Sequence, residues 1–248
     1  MRSLFRHAIA LIAGMLCVSA AHAADFSINP TRIVLDGQRS VDTVTLVSNE
    51  DREVSFEVSL LQWSQDAKGE WVEVPSKDLV VYPALMKMPA KGKGLVRVGS
   101  KSKAPLTTEG TYRLIIQELP GRPLPNDSTA VRLLTRVSLP IFLAPTTPTV
   151  DISLQAERLN NGARVTVLNR GNVHLAPQST KVEFLDASGK SLGGEKAASP
   201  GPAYVLAGAS NGWTQEWSGV SCSQVASVKV VLETSKKTLT APLSGSCK

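Results

Sequence analysis

Few side chains in this sequence are equipped for covalent chemistry. His7 and His22 fall in an N-terminal segment that reads as a leader, which leaves His174 as the one histidine beyond it. A zinc site takes three or four ligands, most of them His or Cys. His174 instead follows Gly171-Asn172-Val173 in a turn-to-strand segment and reads as a surface or packing residue. A serine nucleophile would have to borrow the same histidine, and no G-x-S-x-G elbow is present. Neither phosphate-cradling glycine loop occurs, G-x-x-x-x-G-K-[ST] or G-x-G-x-x-G. The expectation is a protein with no catalytic residues, no metal, no cofactor and no ATP site, and therefore not an enzyme. Four tryptophans, Trp63, Trp71, Trp213 and Trp217, could stack on sugars. Trp213 and Trp217 are four apart in a strand-like segment and share a face, which favours core packing or burial between domains.

The leader reading rests on Arg2 and Arg6, an apolar run from Ala8 to Ala20, and the small-x-small site Ala21-His22-Ala23. Residues 1–23 are thus expected to be a cleaved signal peptide of an exported protein. Its removal takes two arginines and no acid, lowering the formal charge from +6 to +4. The remaining charge is spread out. Lys91, Lys93, Lys101 and Lys103 flank Leu95 and Val96, a spacing that suits a solvated hairpin and not a nucleic-acid surface. Cys17 leaves with the leader, so Cys222 and Cys247 are expected to form one disulfide in an oxidising compartment, tying down the C-terminal strand.

The elements that must position any site are strands. Alternation of period two recurs throughout, with no sustained helical period. Val44 and Leu46, then Val54, Phe56, Val58 and Leu60, read as a hairpin around Ser48-Asn49-Glu50-Asp51. Further strands are expected at 79–82, 94–98, 111–118 and 131–143, then at 150–154, 163–168, 181–185, 203–206, 213–217, 225–233 and 239–242. Pro145-Thr146-Thr147-Pro148 divides the two series. Six or seven short strands on each side of a linker predict an all-β chain of two β-sandwiches in tandem, 24–145 and 149–248. The run Val131–Leu143, VRLLTRVSLPIFL, is unusual because it is long and apolar yet carries Arg132, Arg136 and Pro140. Proline cannot donate to a ladder and belongs on an edge or at a bulge. The run reads either as a core strand ending near Pro140 or as an edge used by pairing with a strand from another chain.

Near the start of the mature chain stands Phe26-Ser27-Ile28-Asn29-Pro30-Thr31-Arg32-Ile33-Val34-Leu35. With Tyr82-Pro83-Ala84-Leu85-Met86-Lys87-Met88-Pro89, Tyr112–Pro120 and Leu168-Asn169-Arg170-Gly171-Asn172-Val173-His174, it resembles the periplasmic chaperones of chaperone–usher pili. The match is nearest to the archaic or spore-coat-U-type branch and covers essentially the whole mature chain.

That resemblance implies an L-shaped pair of immunoglobulin-like β-sandwich domains that lends the last long strand of the first domain to an incomplete pilus subunit, then hands the subunit to an outer-membrane usher. It implies Val131 and Leu133 as the side chains that plug the subunit, with Leu134 the alternative for a bulged strand. It also implies a basic pair that grips the subunit's C-terminal carboxylate. Arg32 matches the first member. The donor strand has no lysine for the second, so Arg136 is expected, with Arg132 as the alternative. The family's arginine before the closing proline is Ala144 here, so the interdomain ion-pair network is expected to be absent or rebuilt. A dimer that caps its own exposed edge is a further expectation. The rival reading is a pilus subunit or two-domain surface adhesin.

Overall fold

A computed structural model describes residues 26–66, 68–101, 104–121, 133–177, 180–193, 196–197, 204–217, 219–232 and 237–247. In the first half, strands β1 (Phe26–Asn29), β3 (Val41–Ser48), β6 (Leu79–Tyr82) and β8 (Lys93–Ser100) form a four-stranded sheet in the order β1-β3-β8-β6. Strands β2 (Ile33–Leu35), β4 (Val54–Gln65), β5 (Trp71–Pro75), β9 (Gly110–Glu118) and β10 (Arg136–Leu143) form the facing sheet in the order β2-β10-β9-β4-β5, and β7 (Leu85–Met88) pairs with β4. Alternate residues of both sheets, among them Val44, Leu46, Phe56, Val96, Leu114, Ile116, Leu139 and Ile141, meet in one buried core. The Asn29–Pro30 and Tyr82–Pro83 peptide bonds are cis.

The second half holds β11 (Ile152–Leu159), β12 (Gly162–Asn169), β13 (Thr180–Leu185), β14 (Lys196–Ala197), β15 (Ser210–Glu216), β16 (Ser227–Leu232) and β17 (Lys237–Ser244). They run in the order β14-β13-β16-β17-β11-β12-β15, folded over where β11 and β17 pair in parallel through Ala156–Leu243 and Glu157–Ser244. Val165, Val167, Val182, Phe184, Val228 and Val230 fill the space between the layers, with Trp213 and Trp217 packed against them. Cys222 and Cys247 are disulfide-bonded. Arg158 lies beside this bond and donates to the carbonyls of Cys222 (2.7 Å) and Val225 (2.6 Å).

Three expectations from the sequence need correction. The segments 44–46 and 54–60 are not a hairpin: β3 and β4 lie in opposite sheets, and the turn between them crosses the sandwich. Alternation reports which residues face the core, and a strand presents the same pattern from either layer. Val205 forms an isolated bridge to Leu175, and the described residues 204–206 of the expected 203–206 strand hold no strand. Among the described residues the last strand of the first sandwich begins at Arg136, with residues 133–135 ahead of it outside any strand. At its root the buried Glu118 carboxylate replaces a ladder partner, accepting from the Thr135 N–H (3.2 Å) and pairing with Arg52 (3.0 Å).

Candidate functional site

The candidate site is the open edge of β10 and the cleft beside it. On one side β10 pairs with β9 along its whole length, from Arg136–Gln117 to Leu143–Gly110. On the other side β2 covers only Ile141, Phe142 and Leu143. The Glu118 N–H donates to the Thr135 carbonyl, and the Ala144 N–H donates to the Leu35 carbonyl. Odd-numbered residues therefore direct their main chain to β9, and even-numbered residues direct theirs to the other side. Pro140 belongs to the even set, so its missing N–H falls on the edge, where a sheet tolerates proline. The N–H and C=O groups of Arg136 and Ser138 face outward with no strand opposite them among the described residues.

Side chains sort by the same parity. Val137, Leu139, Ile141 and Leu143 face the core of the first sandwich. Arg136, Ser138, Pro140 and Phe142 lie on the opposite face, and Phe142 joins Trp63 and Leu206 in a small cluster between the two sandwiches. Its ring stacks on His174 with 3.7 Å between centroids and 11° between planes. Tyr204 meets Trp63 edge-on at 5.3 Å. Glu109 Oε2 receives the His174 main-chain N–H (2.8 Å) and lies 2.7 Å from its Nδ1. A carboxylate can only accept, so Nδ1 carries the proton. Leu206 N–H donates to Gln65 Oε1 (2.8 Å), and the Asn172 amide donates to the carbonyls of Thr107 and Thr147. The junction between the domains is thus built from a histidine–carboxylate pair, an aromatic stack and main-chain contacts.

Arginines line the floor of this cleft. Continuing the β2–β10 register by one residue puts Arg32 beside Pro140, and the Arg32 guanidinium lies 5.7 Å from the centre of the Phe142 ring. On the other flank of Pro140, directly paired with it, stands Arg113. The Arg113 guanidinium sits 3.9 Å from the centre of the Trp63 ring, donates to Ser138 Oγ (3.3 Å), and places Nε 3.2 Å from Glu73 Oε1. That last contact lacks hydrogen-bond geometry, so Nε remains a buried donor without an acceptor. Burial lowers the pKa of Arg113, opposed by Glu73 and Tyr204.

Of the residues expected from the sequence, Arg32 reaches the cleft. Arg136 does not join it there. It lies four residues back along β10, about 13 Å at strand rise, while the Arg32 guanidinium leans the other way, over Phe142. Val131 and Arg132 lie outside the described residues. Leu133 and Leu134 stand ahead of β10, 66% and 40% exposed. Arg113 escaped sequence reasoning because its proximity to Arg32 is a property of strand order. The available signal was a lone arginine within the apolar Tyr112–Ile116 alternation. Among the described residues no three His, Cys, Asp or Glu side chains come together.

The model of the pili and flagellar-assembly chaperone family, PapD N-terminal domain, matches residues 25–149. Several solved structures are similar over nearly the whole chain. One is the chaperone–tip adhesion subunit pre-assembly complex from archaic Csu pili of Acinetobacter baumannii, with 18% identity, TM-score 0.58, and 89% of this chain and 98% of that one covered. The class 5 fimbriae chaperone CfaA gives 17%, 0.59, 90% and 100%. The Salmonella enterica SafA pilin in complex with the SafB chaperone gives 14%, 0.58, 90% and 99%. A comparison with curated proteins gave no match.

Proposed function

We propose that this chain, which belongs to the family of pili and flagellar-assembly chaperones, holds pilus subunits in the periplasm by pairing the open edge of β10 with a subunit strand, and passes them to an outer-membrane usher. The observation that carries the reading is the half-covered strand. From Ile141 onward β2 occupies the edge, and before it the main chain of Arg136 and Ser138 is open. A subunit strand laid there runs in line with β2, hence parallel to β10, and ends short of Arg32, which lies beside Pro140.

Its carboxyl terminus then arrives between Arg32 and Arg113. Two guanidiniums flanking Pro140, the exposed Arg32, which makes no ion pair among the described residues, and Arg113, held against Trp63 and Ser138, form a cradle for a carboxylate that fixes where the strand stops. Toward the other end of the edge, Leu133 continues the core-facing parity of Val137 and Leu139, and plugs the subunit together with Val131. Each such side chain contributes roughly 1.5–3 kcal/mol when fully buried. Leu134 has the opposite parity and serves only if the strand is bulged. The chemistry is folding by complementation: the subunit's own burial of apolar surface stabilises the complex, with no nucleotide involved.

The test is periplasmic co-expression with subunits from a matched pilus operon and pull-down. Wild type is expected to recover soluble subunit, Arg32→Ala and Arg113→Ala to lose most of it, and Arg136→Ala to retain it. If wild type recovers none, the protein is not such a chaperone, and the subunit or adhesin reading moves ahead.

A further inference from the structure

We infer that the Cys222–Cys247 bond is a site of thiol–disulfide exchange, in which an incoming thiolate attacks the Cys247 sulfur and Arg158 holds the departing Cys222 thiolate. The two sulfurs differ in access, since Cys247 is exposed and Cys222 is half-buried. One guanidinium nitrogen, Arg158 Nη1, lies 3.8 Å from each of them and donates to the Cys222 carbonyl at 2.7 Å. Nη2 donates to the Val225 carbonyl at 2.6 Å, which fixes the group in place. Among the described residues Arg158 meets no carboxylate, and the neighbouring Glu157 turns to Arg164, 3.2 Å away. A half-buried cation therefore faces only neutral acceptors while the bond is closed.

Opening the bond supplies the missing negative charge. The attacking sulfur's electron pair forms a bond to Cys247 Sγ, the Cys222–Cys247 bond breaks, and its pair leaves on Cys222 Sγ as a thiolate beside Arg158. The incoming thiol is the reductant. A second thiol, or the second sulfur of a dithiol, then resolves the mixed disulfide and leaves Cys247 reduced. A nearby cation favours the thiolate form of a cysteine, and exchange is faster when the departing thiolate is more stable. A thiolate is a far stronger acceptor than a disulfide sulfur, so the arginine stabilises the open form more than the closed one. The fold says what is released. Among the described residues β17 meets β11 through Ala156–Leu243 and Glu157–Ser244, with Ser244 Oγ donating to the Ala156 carbonyl. Arg158 and Cys247 lie just beyond this join, so exchange frees the end of the last strand at the seam between the two layers of the second sandwich.

The experiment follows cleavage of the bond in the full-length mature protein by reduced glutathione near neutral pH. Intermediates are quenched in acid and located by mass spectrometry. Arg158→Met is expected to slow cleavage about three- to ten-fold, and Arg158→Lys, which keeps the cation, to recover most of the rate. Arg158→Gln, which keeps an amide donor without the charge, is expected to behave as Arg158→Met. The first glutathione adduct is expected on Cys247. In a Cys247→Ser background, the fraction of Cys222 present as thiolate, read by ultraviolet absorbance, should fall about five- to ten-fold when Arg158 becomes methionine. A purely structural arginine gives the opposite sign, because its loss weakens the fold around the bond, exposes it and speeds cleavage. Cleavage of both uncharged variants as fast as wild type or faster would overturn the inference. So would a first adduct on Cys222, or equal ionisation with and without the arginine. If Cys247→Ser does not fold, the cleavage rates and the adduct position decide the matter. None of these residues lies on β10 or in its cleft, so either result leaves the edge-pairing reading where it stands.

Discussion

Removing the Glu109 carboxylate should loosen the junction between the two domains by an amount that can be worked out from its contacts. One oxygen of Glu109 receives both the main-chain N–H and the Nδ1–H of His174, and both side chains are largely buried, 5% and 12% exposed. Glu109→Ala leaves two donors without that acceptor, each costing about 1–3 kcal/mol if water does not replace it. The expected loss is about 3 kcal/mol. Glu109→Gln keeps a carbonyl oxygen for one donor, and the loss falls to about 1 kcal/mol. His174→Ala removes the ring stacked on Phe142, worth about 0.5–1.5 kcal/mol beyond its buried area, and strands the carboxylate. The assay is urea denaturation followed by tryptophan fluorescence, since Trp63 lies in the same interdomain cluster. The two alanine variants and their combination complete a double-mutant cycle with an expected coupling of about 1–2 kcal/mol. A coupling below about 0.3 kcal/mol, with Glu109→Ala close to wild type, would refute the claim that this pair holds the domains together.

Three further outcomes follow from particular side chains. Desolvation, and then the Asp78 carboxylate that accepts its hydroxyl proton, pushes the Tyr112 pKa up to about 12. Its folded pKa lies above the unfolded one, so the associated stability is complete below about pH 10 and is lost as pH rises toward 12; an ultraviolet phenolate titration of wild type against Tyr112→Phe checks this. Arg158→Ala should cost about 2–3 kcal/mol in chemical denaturation, because it removes the charged donor to the carbonyls of Cys222 and Val225. Leu133→Asp should leave the unfolding midpoint within about 0.5 kcal/mol of wild type, since the side chain is 66% exposed, yet abolish subunit recovery in pull-down.

Much of this architecture was legible in the residues. Alternation located most strands and showed two series of them, and Pro140 marked an edge within an apolar run. Strand order was not legible. Alternation cannot tell a hairpin from a chain crossing between layers, so β3 and β4 were paired in error. The same blindness hid Arg113: Arg32, Pro140 and Arg113 are far apart in the chain and become neighbours only through the β2-β10-β9 order. Arg136 was favoured as the second anchor because it lies on the right strand, but the register puts it four residues from the end of the open edge. That Ala144 stands where the resemblance leads one to expect an arginine was visible; the contact between Glu109 and His174, 65 positions apart, was not.

The central claim is that the open main chain of β10 is completed by a client strand. Amide hydrogen exchange at Arg136 and Ser138, measured by NMR with and without a bound subunit, tests it most directly. Both amides should exchange freely in the isolated protein and become protected in the complex, while those of Val137 and Leu139, already bonded to β9, change little. Rapid exchange at Arg136 and Ser138 in a complex that demonstrably holds its subunit would contradict the account.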